Sequence, residues 1–304
     1  MLSDIADDVK GEVSSIAEEY EIFMIQEKSI DLESEKNKLN FAKEEIDEGI
    51  GIRVIKDSKV GFAYTSDFSK IKETTEQALS NTKLNKKNEN ISFAIPEKQI
   101  KVKDIYDKSY KNLDLNDTID FLNNIIEITE SLGCEVTSSS FSGVEVETTV
   151  LNSNGVNLSA IETGFGSGLS VNVIKDGDIS TAYDSISSCN YKDIDGDTIS
   201  REVSNRALNS LGGVNVETND YNVVLDYHAA IGLLSTFIQA FSSENVERGR
   251  SLLKGKEGTE ITDSKLSIID DATRAGLLGS APFDGEGTVS KETVLVETGV
   301  LNSF

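Results

Sequence analysis

The chain is poor in the side chains that hold metals and carry nucleophilic chemistry. One histidine, His228, and two cysteines, Cys134 and Cys189, occur in 304 residues, which leaves few of the imidazole and thiolate donors that zinc prefers. A serine-histidine-acid set would have to use His228 as its base, and that residue follows Tyr227 with no supporting motif. The cysteines stand 55 positions apart without a C-x-x-C pair, a pattern of reduced packing thiols and not of a disulfide framework. Basic residues are outnumbered, 29 against 53 acidic, for a formal net charge of -24. Such a surface repels phosphate backbones, and no lysine-arginine cluster or aromatic-basic interleaving offsets it, so direct nucleic-acid binding is not expected. No run of eighteen apolar residues is present to span a membrane. The opening Met1 to Asp8 is acidic and lacks an apolar core, unlike a signal peptide, and a cytoplasmic location follows as the expectation.

Carboxylate-only chemistry stays open with so many acids. Asp193-Ile194-Asp195-Gly196-Asp197 resembles the opening of a calcium loop, but Thr198 and Ser204 replace its glycine and closing glutamate, and it reads as a turn and helix start. Asp270-Asp271-Ala272-Thr273 lacks the Asp-Thr/Ser-Gly turn of an aspartic protease and reads as a solvated strand end. Gly164-Phe165-Gly166-Ser167-Gly168 has neither a following helix nor a Walker lysine, so a bend or bulge between strands is expected in place of a phosphate cradle.

The periodicities give an α+β chain. Residues 3–19 have a helical stripe at Ile5, Val9, Val13 and Ile16, and strands follow at 20–33, 38–46, 49–56 and 59–65, the last two a hairpin about Asp57-Ser58. Ser66 or Asp67 caps a helix carrying Phe68, Ile71, Thr75, Ala78 and Leu79, and a polar tract over 81–92 is a loop. A second helix-and-sheet set runs from a helix over 116–132 through strands at 136–151, 156–161, 169–174 and 179–185 to a helix over 198–211. Val54-Ile55-Lys56-Asp57, Ala63-Tyr64 and Ser66 recur as Val173-Ile174-Lys175-Asp176, Ala182-Tyr183 and Ser185 at one offset of 119. A duplicated helix-plus-antiparallel-sheet domain over 1–215 accounts for this, although lysine-aspartate turns are common enough to coincide by chance. From 216 to 304 the pattern changes to a mixed, β-rich second domain, with a buried strand at 222–226 and a core helix whose Ile231, Leu234, Ile238 and Phe241 share a face.

The order of Asn222-Val223-Val224-Leu225-Asp226, the Leu233-Leu234 helix, Arg248-Gly249-Arg250-Ser251-Leu252-Leu253 with Gly255-Lys256-Glu257-Gly258, and Phe283-Asp284-Gly285-Glu286-Gly287 resembles the TldD/PmbA family, also called the modulator of DNA gyrase family. Gly49 to Ile55 and Val60 to Asp67 extend the resemblance to the amino-terminal half. In that family the catalytic, TldD-type chain has a His-Glu-x-x-x-His zinc motif directly after the leucine pair. Ser235, Thr236 and Ala240 occupy those positions here. None is a zinc ligand or the carboxylate base of a zinc peptidase.

The resemblance therefore implies the other, TldE/PmbA-type subunit, with no catalytic or metal residue of its own. Zinc is then expected in a TldD-type metalloprotease partner, and the pair would trim small unfolded peptides or proteins. It also implies a carboxy-terminal domain that is incomplete at Phe304, since family members continue further. A homodimer that binds extended peptides without a protease, and an autonomous metallopeptidase with an unconventional carboxylate site, are the alternatives. Arg248 and Arg250 are candidates to grip a peptide carboxylate or a partner's acid. Asp284 and Glu286 are candidate contacts in the acidic-glycine loop, whose glycines imply a tight turn.

Overall fold

The computed structural model describes residues 2–36 and 38–304; Met1, part of the acidic terminus read above, lies outside them. The chain divides into two compact units, Met1–Gly213 with Thr273–Ser290, and Val214–Ala272 with Lys291–Phe304.

The first unit is one antiparallel sheet with helices on one face. Helix α1 (Leu2–Ser14) precedes β1 (Glu19–Glu35), β2 (Lys38–Lys56), β3 (Lys59–Thr65) and α2 (Ile71–Asn81). Helix α3 (Leu115–Ser131) precedes β4 (Glu135–Asn152), β5 (Asn157–Lys175), β6 (Asp178–Ser188) and α4 (Gly196–Asn209). The two halves thus repeat one element order. Their first strands pair at the centre of the sheet, giving β3-β2-β1-β4-β5-β6. Both outer hairpins turn on two residues with positive φ, Asp57 and Ser58 in one, Asp176 and Gly177 in the other. This backbone twist matches that of the flanking strands.

Alternation fixes which face is covered. Tyr20, Ile22, Met24, Ile30 and Leu32 of β1 are all buried on the helical face. The first three join Ile50, Ile52 and Val54 of β2 beneath α1 and α2. The last two join Phe141, Phe165, Leu169 and Val171 beneath α3 and α4. Helix α2 sits so close to β3 that a Cβ at Gly61 would overlap the Ala78 carbonyl oxygen. Helices α3 and α4 begin on Asp114 and Asp195, whose carboxylates accept from the first free N–H groups. The would-be calcium loop is accordingly a helix cap, with Thr198 Oγ1 donating to Asp195 at 2.6 Å.

Three strand expectations are corrected. Strand β2 runs unbroken through Gly49 and Gly51, and β5 through Gly164, Gly166 and Gly168, so the glycine run is neither bend nor bulge. These β5 glycines share the face opposite the helices, where a Cβ would lie 3.2 Å from Leu278 at Gly164 and 2.9 Å from Ser140 Oγ at Gly168. Residues 222–226 form no strand, and Val223 and Val224 are exposed.

The second unit holds α5 (Tyr227–Ser235), α6 (Ser243–Glu247) and a small antiparallel sheet of β7 (Ile268–Asp271), β8 (Glu292–Glu297) and β9 (Val300–Leu301) in that order. Val296 and Leu301 are its buried apolar residues. The expected core helix ends at Ser235, and Ile231, Leu234 and Ile238 are 64%, 43% and 61% exposed. Its apolar stripe exists, but no described residue of the second unit covers it.

Candidate functional site

Opposite the helices, the first unit's sheet is crossed by the segment 273–290. Phe283 anchors this segment against Val150, Val156 and Leu158, and Gly276 N–H donates to the Lys103 carbonyl at 3.0 Å. The acidic-glycine loop is a tight turn closed on Asp284. Its Oδ1 accepts from Glu286 N–H and Thr288 N–H, each at 2.9 Å, and Gly287 takes φ +79. A Cβ at Gly287 would lie 2.8 Å from Val156, so the glycine answers both a left-handed backbone and a close approach.

Beneath the loop lies an ion cluster. Arg53 of β2 and Glu21 of β1 are register partners, and Arg53 Nε donates to Glu21 Oε1 at 2.7 Å. Arg53 Nη1 donates to Glu286 Oε1 at 2.7 Å, and the guanidinium stacks 5.8 Å over the Phe93 ring. Glu21 is 2% exposed, and its Oε2 is buried without a hydrogen-bond partner. Burial pushes its carboxyl pKa up, against the pull of Arg53, and the charges of Glu286 and Asp284 add to the rise.

A second polar cluster fills the helical face between the two helix pairs. Buried Glu145 of β4 accepts from Lys28 Nζ at 3.1 Å and from the Tyr106 hydroxyl at 3.0 Å. Burial, with that bond to Glu145, pushes the Tyr106 phenol up to about 12. The cluster borders a cavity of about 720 Å³ lined by Gln26, Glu44, Ile46 and Tyr110. Neither cluster was found from the sequence. The available signal was a charge between two apolar residues of an alternating strand, as at Tyr20-Glu21-Ile22 and Ile52-Arg53-Val54.

The sequence-derived candidates divide between the units. Asp284 and Glu286 belong to the first, and Ser235, Thr236, Ala240, Arg248 and Arg250 to the second. Arg248 pairs with Glu244 one helical turn away at 2.7 Å, and Arg250 N–H donates to the Asn245 carbonyl at 2.8 Å. His228 packs its ring 4.1 Å from that of Tyr227 at the start of α5. Asp270 and Asp271 end β7.

Three family descriptions match this chain in order: PmbA/TldA metallopeptidase domain 1 over residues 20–82, the central domain over 108–211 and the C-terminal domain over 218–304. The chain belongs to the PmbA/TldD family. An uncharacterized protein of Methanocaldococcus jannaschii is 34% identical over 290 residues, which are 94% of this chain and 66% of that relative. The chain thus spans about two thirds of that relative's length. The fold matches a Thermotoga maritima protein described as a modulator of a DNA gyrase, with TM-score 0.91 and 21% identity over 98% of this chain and 70% of that one. It also matches TldE from Thermococcus kodakarensis, with TM-score 0.83 and 24% identity over 99% of this chain and 69% of that one. At these identities the likeness is one of fold.

The zinc that a PmbA/TldD metallopeptidase implies does not fit the side chains of this member. Ser235 Oγ donates to the Gly232 carbonyl at 3.0 Å and Thr236 Oγ1 to the Leu233 carbonyl at 2.7 Å, so both hydroxyls are turned back onto their own helix. Ala240 offers a methyl group. Among the described residues no three His, Cys, Asp or Glu side chains are grouped so as to hold a metal ion.

Proposed function

We propose that this chain is a TldE/PmbA-type subunit of a cytoplasmic metalloprotease complex that acts on small unfolded peptides or proteins, with the chemistry carried by a TldD-type partner. One observation supports this reading above the others: at the three positions where the catalytic family members carry His, Glu and His, this chain has two backbone-bonded hydroxyls and a methyl. Zinc needs imidazole, thiolate or carboxylate donors, and its peptidase chemistry needs a carboxylate base.

Mixing the chain with a TldD-type protein is the test. The pair is expected to co-elute and to cleave an unfolded polypeptide, with zinc following the partner. A stable pair without activity would count against the reading. Stoichiometric zinc on this chain alone, together with digestion of the same polypeptide, would overturn it.

A further inference from the structure

The ion cluster beneath the acidic-glycine loop has more acids than it can pair. The charges of Asp284 and Glu286 both act on Glu21, and one guanidinium serves the group, that of Arg53, which bonds Glu21 Oε1 and Glu286 Oε1 at 2.7 Å each. Asn152, the register partner of Glu21 on β4, and the Phe93 ring under Arg53 are uncharged, and Glu19 on β1 is exposed.

The two carboxylates that share Arg53 hold it under different conditions. When Glu21 is ionised, it forms a complete pair with its register partner, and the loop acids are surplus charges that oppose it. When Glu21 is neutral, Glu286 is the anion that Arg53 holds, and a guanidinium whose side chain is only 31% exposed is costly to leave alone. With the loop seated, Glu21 Oε2 is buried without a hydrogen-bond partner, which favours the neutral form. Any opening that admits water to this oxygen favours the ionised form, and by linkage ionisation favours opening.

We infer that Glu21 is a proton-operated latch on the acidic-glycine loop: in its neutral form it leaves Arg53 to hold Glu286, and in its ionised form it takes Arg53 for itself and lets the loop lift. The loop and Phe283 share one short hairpin, closed by the Phe283–Val289 bridge and by Ser290 N–H donating to the Pro282 carbonyl at 3.1 Å. A loop that lifts therefore draws the ring with it. Val150, Val156 and Leu158, which pack against that ring, become an open apolar seat on the face opposite the helices. The latch uses neither a partner nor zinc, so it stands or falls apart from the subunit reading.

The test is NMR of the whole chain, labelled at valine and leucine methyls, from pH 5 to 8.5. The ring current of Phe283 marks the methyls of Val150, Val156 and Leu158 while the loop is seated. As pH rises, these wild-type shifts are expected to move toward ring-free values, with the ratio of seated to lifted loop falling at least about fivefold. Glu21→Gln, fixed in the neutral form, should keep the low-pH shifts throughout. Glu286→Gln should lift the loop more at pH 5 than at pH 8.5, because only at low pH is Glu286 the anion that Arg53 holds. Wild-type methyls that keep their positions across the range, Glu21→Gln methyls that move as the wild type's do, or equal effects of Glu286→Gln at the two ends would overturn the proposal. If Glu21→Gln does not fold, Glu21→Leu combined with Arg53→Met removes the latch in its place, and its methyls should be insensitive to pH; a wild-type response there overturns the proposal equally.

Discussion

Arg53 lies directly across from Glu21 in the β1–β2 pairing, and its guanidinium spans the distance from this 2% exposed carboxylate to the loop residue Glu286. The two carboxylates are unequal partners. Glu286 has a side chain 64% exposed and can recover hydration when released, whereas Glu21 cannot. Arg53→Met should therefore destabilise the first unit by about 3 kcal/mol, mostly by stranding a buried charge. Glu286→Ala should cost about 0.5 kcal/mol. Adding Glu21→Leu to Arg53→Met should recover more than half of the loss. Urea midpoints of the variants check all three expectations.

The pH dependence of the same cluster has a definite sign. The Glu21 carboxyl is raised above its ordinary 4.5 in the fold, so the folded state favours the protonated form. Its stabilising contribution is fully present below the unfolded value and is lost as pH rises through the folded value. Glu21→Gln resembles the protonated form at every pH. Relative to wild type, it should gain more stability at pH 7 than at pH 4, read from paired urea titrations. A difference that does not vary with pH would mean that burial does not govern this carboxyl.

Asp107 is expected to behave oppositely. Its Oδ1 accepts from Ser109 N–H and its Oδ2 from Tyr191 N–H, both at 2.9 Å, which ties the connection between the halves to the turn after β6. Burial opposes these bonds, but they prevail and hold the carboxyl below its ordinary 3.8. Its contribution is therefore present above the unfolded value and lost as pH falls through the folded one. Asp107→Ala should cost about 1–2 kcal/mol at pH 7, and the difference from wild type should shrink toward pH 3. Thermal unfolding at the two pH values measures it.

Much of the first unit was legible in its sequence, because burial on one face imposes a period of two that local composition reproduces. Val144, Val146, Thr148 and Val150 alternate along the strand expected at 136–151, and Asp57-Ser58 announced its turn. Glycine misled where it served packing and not chain reversal. Gly164, Gly166 and Gly168 alternate with Phe165 and Ser167, both buried, which is itself a strand pattern. The segment 222–241 misled for another reason. Its helical period is real over Tyr227–Ser235, but periodicity identifies an apolar face without identifying what covers it. Glu21 and Arg53 were illegible as a pair, because register alone brings positions 32 residues apart into contact.

Gly61 makes the packing argument testable at one atom. Helix α2 crosses β3 with the Ala78 carbonyl directly above Gly61, and Thr82 Cγ2 and N stand 2.8 Å from where a Cβ would be. Backbone atoms are the obstacle, so no rotamer change relieves the overlap, and the helix must lift from the sheet. Lifting α2 would also draw Asn81 Nδ2 from the Phe62 carbonyl, where it sits at 2.8 Å. Gly61→Ala is therefore expected to cost about 3 kcal/mol, the upper part of the range for overpacking, and to speed hydrogen exchange at α2 while α3 and α4 keep their protection. Equal loss of protection in both helix pairs would show that the two halves of the sheet unfold as one cooperative unit. Unchanged stability would show that α2 is not held at the close approach described.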